Sequence, residues 1–410
     1  MKKKIIISFD TGFSGGKIII NKLVLNVPFV IIRQNLITDG DYSLRKADPS
    51  YISCEYDGEI YSIGQAAEDY LLRSKKSETT DATMQGLFTM SRFNTKEYAV
   101  MLKSLIGYAL LKYAAYSSQA PSVDTFSFEN IDNWDIYVGV SLPHSYMEAY
   151  RQNIRQYLIG EDENNPITHQ MKLTIGANDP VDIAFQVNKR IICNSQLKNA
   201  IINELLSEDL KDVPSICDRE NRPTLVIDGG YKTIGLGLVE TDMSIANAVS
   251  NTEYAMLNIN EAVSKQIEPF AEGYHDYMID EMAEKNEVVR YLDDEKKVQE
   301  IHVKELKEKA TEEAAENLIQ FLLTKFDDML RIKSILIAGG TGKAYQPYIE
   351  QFCKDNRAFL VDNIHIGTQN PENVFHGIME VNGTFQQMSI TDPVYTVVIG
   401  LFKEMCTKLD

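Results

Sequence analysis

Two stretches of this chain end an apolar, β-branched run on an aspartate and then turn on glycine. The first is IIISFDTGFSGGKIII, residues 5–20, and the second is TLVIDGGYKTIGLGLVE, residues 224–240. Each reads as a β-hairpin, because β-branched residues fit a pleated strand and a polar, glycine-bearing bend lets the chain reverse. Asp10 and Asp228 stand 218 positions apart (228 minus 10), a little over half of the 410 residues. An echo at that distance points to two lobes built on one plan, and about 100–200 residues per domain points the same way. A third run, SILIAGGTGKAYQPYIEQF (334–352), departs from the scheme. Its apolar strand ends at Gly339-Gly340, and a helix is expected from about Lys343.

Composition narrows the class of chemistry. With 44% hydrophobic and 24% charged residues the chain is an ordinary globular protein, not a disordered or collagenous one. Lys and Arg number 41 against 59 Asp and Glu, a formal net charge of −18. Such a body repels polyanions, so no direct nucleic-acid partner is expected. No segment approaches the roughly 18–20 apolar residues of a membrane helix, and the apolar part of MKKKIIISFD is too short for a secretion signal. The expectation is a cytoplasmic protein without a membrane partner. Cys54, Cys193, Cys217, Cys353 and Cys406 lie far apart without a CxxC pair, as expected of reduced thiols. The six histidines form neither HxxxH nor HExxH, so no protein-built metal site is expected.

Further elements follow from spacing. Tyr98, Met101, Leu102, Leu105, Ile106, Leu110 and Tyr113 recur at helical intervals within 96–117, which predicts a packed helix. Residues 118–133 read as an exposed loop, and WDIYVGVSL (134–142) as a buried strand stopped by Pro143. The charged stretch 281–317 carries Val303, Leu306, Ala310 and Ala314 at three- and four-residue steps, continued by Leu318. It is expected to form one long amphipathic helix with a solvated face. Residues 395–410 are expected to be a final packed helix.

A glycine turn after a strand can aim backbone N–H groups at phosphate, because no Cβ blocks the approach. Each charge-assisted bond of that kind contributes roughly 1.5–3 kcal/mol. An aspartate at the same strand end repels phosphate unless a divalent cation or its water shell lies between them. Asp10 and Asp228 would therefore clamp a metal-bound phosphate chain from two sides. Competing phosphate motifs are absent. The two Gly-Lys pairs, Gly16-Lys17 and Gly342-Lys343, are each followed by an apolar residue, so neither is GxxxxGK[ST]. Gly235-Leu236-Gly237 lacks the third glycine of GxGxxG, and no GxSxG elbow occurs.

The order DTGFSGGK, VIDGGYKTIGLGLV, ILIAGGTGKAYQPYI resembles the two phosphate motifs and the adenosine motif of the actin, chaperone and sugar-kinase ATPase superfamily. Within it the chain is most similar to the ParM-type bacterial actins that segregate plasmids. The resemblance implies an α/β, actin-like (ribonuclease-H-like) fold of two lobes with a nucleotide cleft between them. Lobe I would be 1–203 plus 376–410, and lobe II 204–375. VNG at 381–383 is similar to the family's second connecting helix, where a small residue permits close crossing.

The same resemblance implies site residues. Asp10 would hold magnesium through water, with Gly12, Ser14, Gly15 and Lys17 lining the β- and γ-phosphates. Asp228 would orient the attacking water, with Gly230, Lys232 and Thr233 on the opposite phosphate face. Gly339, Gly340 and Thr341 would approach the α-phosphate and ribose. Gln196 would position water as the second catalytic residue, its neutral amide giving slow hydrolysis. Lys307 and Glu308 would edge the base, against the competing reading of a solvent-facing pair. Tyr231 and Lys232 replace the small residues usual in the second motif, and 211–223 is a longer loop than the family's.

The expected activity is a filament-forming ATPase, using Mg2+ and ATP with GTP possible. Its partners would be itself and a DNA-binding adaptor coupled to a plasmid. A small-molecule kinase on the same fold is the alternative, and a nucleotide-gated chaperone or cell-division adaptor is a third.

Overall fold

The computed structural model describes residues 2–12, 15–34, 50–73, 90–118, 131, 133–213, 223–270, 276, 278–381 and 383–409. Both aspartate-bearing hairpins form as their sequences suggest. β1 (Lys3–Thr11) pairs antiparallel with β2 (Gly16–Ile20), and β2 with β3 (Leu23–Val27). Beyond the hairpin come β4 (Ile31–Arg33), β5 (Tyr51–Tyr56), β6 (Glu59–Gly64), α1 (Gln65–Arg73) and α2 (Lys96–Ser118). They are followed by β7 (Trp134–Leu142), α3 (Met147–Ile159), β8 (His169–Ile175), β9 (Val181–Phe185), β10 (Ile192–Ser195) and α4 (Gln196–Leu205).

The second half repeats the opening. β11 (Thr224–Gly229), β12 (Ile234–Val239) and β13 (Ile245–Asn251) form another antiparallel meander. After α5 (Met256–Ile267) and α6 (Met278–Glu284) comes a small hairpin, β14 (Val288–Leu292) and β15 (Val298–His302). Then α7 (Val303–Lys325), β16 (Ser334–Ala338), α8 (Gly340–Asn356) and β17 (Ile364–Ile366) lead to β18 (Phe375–Val381), β19 (Thr384–Ile390) and α9 (Thr396–Leu409).

The duplication legible in two short motifs extends to whole sheets. One central sheet has the order β10-β7-β1-β2-β3, extended at its edge by β18 and β19; the other has the order β17-β16-β11-β12-β13. In each, an antiparallel meander begins at the central strand, and two later strands add parallel on the other side. A parallel sheet is buried on both faces, so its strands are near-continuous runs of apolar residues. Ile335, Leu336 and Ile337 of β16 are all buried. A third sheet, β4-β6-β5-β8-β9, packs on α2. That helix is buried on nearly every side, including two lysines whose amines reach Tyr56 and Glu380.

Three expectations change. The stretch 281–317 is not one helix, because α7 begins only at Val303 and the residues before it form the β14–β15 hairpin. Its β-branched and aromatic Val288, Val289 and Tyr291 suit a strand, and the Asp293 carboxylate caps the turn by accepting from the backbone N–H of Glu295 and Lys297. The helix expected from Lys343 starts at Gly340, since Gly339 (φ 76°) turns the chain directly into it. Val381 and Gly383 are not part of a connecting helix. Val381 ends β18 and pairs with Thr384 of β19, and Gly383 takes the left-handed φ of 75° that a tight hairpin requires. The loop expected at 118–133 falls largely outside the described residues, as does most of 211–223.

Close helix crossing does occur, but at Gly400 of α9. A Cβ there would stand 1.8 Å from the carbonyl oxygen of Asn199 on α4. No rotamer relieves a clash with backbone, so the helices must separate. Replacing Gly400 by Ala is expected to cost about 1–3 kcal/mol of stability, as overpacking does in other cores, measurable by urea unfolding.

Candidate functional site

The C-terminal ends of β1 and β11 open on one cavity of about 440 Å³. Its walls include Asp10, Thr11, Gly12 and Lys17 from the first hairpin, and Asp228, Gly229, Gly230, Tyr231 and Thr233 from the second. Gly339, Gly340 and Thr341 close it from the start of α8, and Gln196 from the start of α4. Strand register explains the convergence. Asp10 lies opposite Lys17 across its hairpin, and Asp228 lies between Gly235 on β12 and Ala338 on β16, one residue before Gly339.

The backbone around the second aspartate is packed without side chains. A Cβ on Gly229 would lie 2.1 Å from the nitrogen of Gly342, and one on Gly339 would lie 2.3 Å from the carbonyl oxygen of Gly229. Glycine lets β11 and the first turn of α8 touch, and the Thr341 hydroxyl fastens them by donating to the Gly230 carbonyl at 2.8 Å. Tyr231 and Lys232 do not open the second turn: the Gly230 N–H donates to the Thr233 carbonyl at 2.9 Å, and the Leu257 N–H donates to Tyr231. The first N–H groups of α8 lack helical acceptors and carry the positive end of the helix dipole, so the cavity meets an anion-binding terminus.

Electrostatics single out the two carboxylates. Burial pushes Asp228 up to about 7, and the charge of Asp10 adds to the shift while Lys17 opposes it. Asp10 is also raised by burial, against Lys17, the Gln196 amide and Arg92. The Gln196 side-chain amide donates to Asp10 Oδ1 at 2.9 Å. Lys17 donates to the Gly15 carbonyl at 3.1 Å. Two like charges facing one space are each costly as anions, and a divalent cation removes that cost. Among the described residues, no group of three or more His, Cys, Asp or Glu converges to hold a metal. The donor set therefore fits a cation held by two carboxylates at most, with water and ligand oxygens completing its shell.

Not every expected residue lines this cavity. Lys307 does, paired to Asp280 at 2.5 Å, whereas its neighbour Glu308 is exposed on α7 outside the lining. Gly15 is buried beside Lys17 but also lies outside it. Lys232 is partly buried behind the turn, lowered to about 8 by burial and by the charge of Arg92. Ser14 falls outside the described residues. The sequence reading missed Arg92, which is 2% exposed, lines the cavity and donates to the Thr11 carbonyl. Burial lowers its guanidinium to about 10. Nothing marks it in the sequence, since it sits in a short 3-10 turn, Met90–Asn94, away from any motif. Asp280 and Glu284 of α6 are also in the wall, and the sequence reading did not single them out.

No protein-family model matches this sequence, and no curated protein does. Solved structures do match, and they share the actin-like fold of two lobes. Superposition on the crystal structure of the actin-like protein Alp7A gives a TM-score of 0.61 at 15% identity, over 99% of this chain and 98% of that one. A 15-stranded ParM filament from Clostridium botulinum gives 0.60 at 16% identity, over 99% of both chains. The archaeal actin homolog Ta0583 in complex with ADP gives 0.58 at 11% identity, over 98% and 99%.

The raised acid has a pH consequence of definite sign. Between 3.8 and about 7 the folded chain holds a proton on Asp228 that the unfolded chain releases. That stability is present below pH 4 and lost as pH rises through 7. Without nucleotide or metal, Asp228→Asn should therefore raise the melting temperature at pH 8 and change it little at pH 4. Equal melting of variant and wild type at pH 8 would count against the burial of this charge.

Proposed function

We propose that this chain is a filament-forming actin-like ATPase that binds Mg-ATP between its lobes, with GTP as a possible substitute. The observation that carries the reading is that both aspartate hairpins and the glycine-led start of α8 open on one cavity. The ADP complex of the archaeal homolog and the ParM filament, both similar in fold to this chain, support nucleotide binding and self-assembly as its class of activity.

In this reading lobe I is 1–203 with 376–410, lobe II is 204–375, and each contributes one carboxylate. Bound magnesium would screen the phosphate charges and lower the repulsion between the aspartates. Asp10 would hold that cation through water, and Gly12 and Lys17 would face the β- and γ-phosphates. Gly230 and Thr233 would take the other phosphate face, and Gly339, Gly340 and Thr341 would offer backbone to the α-phosphate and ribose. Asp228 orients the attacking water, and Gln196, with its N–H₂ spent on Asp10, keeps its carbonyl oxygen as an acceptor for the same water. Neither group is a strong base, so turnover is slow and suits the timing of a polymer. Lys307 reaches the nucleotide from the ribose or base side, with Asp280 in place of Glu308 as its partner.

Closed subunits would then add head to tail, and hydrolysis would loosen the polymer. Head-to-tail contacts are heterologous and need not close, which makes open filaments. Plasmid segregation through a DNA-binding adaptor, in the cytoplasm, is the role this implies. The net charge of −18 suits an indirect link to DNA.

Asp228→Ala should reduce ATP hydrolysis about 100-fold or more yet still sediment with Mg-ATP. Asp10→Ala should weaken Mg-nucleotide binding as well. Full activity in both variants would show that the site is elsewhere, and strong stimulation by a metabolite acceptor would favour the kinase alternative.

A further inference from the structure

Arg92 belongs to the 3-10 turn Met90–Asn94, which leads directly into α2. Thr95 caps that helix: its hydroxyl accepts from the backbone N–H of Tyr98 at 3.1 Å and donates to the Arg92 carbonyl at 2.8 Å. From α3 the Tyr157 hydroxyl donates to the Phe93 carbonyl at 3.0 Å. The Phe93 ring is fully buried, with its centre 5.0 Å from that of Tyr98 and 5.2 Å from that of Tyr150. The backbone that carries Arg92 is thus fastened by two helices.

A fixed backbone fixes where the guanidinium goes. Its carbon lies 4.8 Å from the ring centre of Phe93 and 5.6 Å from that of Phe29, within cation–π range. Nη2 donates to the carbonyl of Thr11, the residue before Gly12 in the first aspartate turn. A carbonyl and two ring faces set the plane of the fork and supply no full negative charge. The charge of Asp10 does act on Arg92, but Lys17 and the Gln196 amide both act on Asp10 more strongly than Arg92 does. Neutralising that acid falls first to Lys17.

The guanidinium stays a cation at neutral pH, since burial lowers it only to about 10. Its charge also reaches the other hairpin, where it adds to the burial that lowers Lys232. Two cations brought to one space from two hairpins repel, and an anion between them removes the repulsion.

We propose that Arg92 binds the terminal phosphate of the bound nucleoside triphosphate and stabilises the charge on its oxygens during hydrolysis. The proposal rests on the nucleotide reading and adds a catalytic residue to it. In that reading α8 takes the α-phosphate and the first turn takes the far end of the chain, which is where Arg92 is anchored. Lys17 offers a point charge there, whereas a guanidinium offers a planar fork that grips two oxygens at once. Water adds to the terminal phosphorus as its bond to the bridging oxygen breaks, giving a nucleoside diphosphate, inorganic phosphate and one proton released to solvent. Arg92 gives up no proton in this step and acts by charge and geometry alone. A diphosphate leaves the fork unfilled, so the same residue separates the two nucleotide states.

The test compares nucleotides as well as rates. Arg92→Ala should weaken binding of a non-hydrolysable ATP analogue with Mg2+ about tenfold or more, and binding of ADP about twofold at most. Its single-turnover hydrolysis should fall at least about 100-fold, and millimolar guanidinium chloride should restore part of it. Arg92→Lys keeps the charge without the fork, so it should bind ADP as the wild type does and hydrolyse ATP at least about tenfold more slowly. If Arg92→Ala loses its melting transition, Arg92→Lys alone decides. In a folded variant, equal weakening of analogue and ADP, or hydrolysis at the wild-type rate, overturns this role and leaves the nucleotide reading standing. A wild type that binds neither nucleotide overturns both.

Discussion

Two carboxylates that would rather be far apart are held at one cavity by two separate sheets. Burial raises the cost of ionising both Asp10 and Asp228, and the charge of Asp10 raises it further for Asp228. The fold leaves only partial relief: Lys17 acts on both acids, while Gln196 and Arg92 act on Asp10. A stability-driven design would replace at least one aspartate, because an unpaired buried charge is among the costliest features a core can hold. Retaining both makes sense when a cation completes the set. The electrostatic state of the gap between the sheets then depends on its occupant.

The connection between those sheets is correspondingly tight. Helix α4 begins at the cavity with Gln196, and its apolar side, Leu197, Ala200, Ile201 and Leu205, packs with Val226, Val239 and Leu336 of the second sheet. Its polar side faces the other way, where the Asn199 amide donates to the Ser141 hydroxyl of β7. Gly400 allows α9 to rest on the same helix, and the Lys403 amine, buried there, donates to the Asn203 and Leu206 carbonyls and to the Asn203 and Asn373 side chains. Burial lowers that amine to about 8, and the charge of Glu204 partly offsets it. Helix α4 is thus in contact with both central sheets, and Gln196 at its start lies in the cavity between them.

How much of this the sequence discloses depends on how local the cause is. Strands β1, β2, β7, β11, β12 and β16 were legible because their β-branched runs and glycine stops are contiguous, and the aspartates were legible because they end those runs. The helical start at Gly340 was read late, since a glycine pair looks like a loop until its φ is known. The charged stretch before Val303 was misread because solvated strands and solvated helices are both rich in charge, and only the β-branched and aromatic residues around Val288 tell them apart. The VNG turn was misplaced because a small residue suits a tight turn and a helix crossing equally well. Gly400 answers the crossing, but a lone glycine in an apolar helix gives no sign of what will press on it. Arg92, Asp280 and Glu284 reach the cavity from elements distant in sequence, so no local pattern could disclose them.

One helix unites the features that local reading kept apart. α7 leaves the β14–β15 hairpin at Val303, places Lys307 in the cavity wall against Asp280, and ends five residues short of Leu330. It is 23 residues long and packs on α5, α6 and α8, so it moves as a rod and not as a chain of independent turns. Proximity alone does not couple two places; an element with two arrangements is required. The Lys307–Asp280 pair is that element in the filament reading, because its members lie on different helices and a nucleotide offers each of them another partner. If the pair breaks on binding, α6 and α7 lose a shared restraint, and the occupant of the cavity then acts on the whole length of α7.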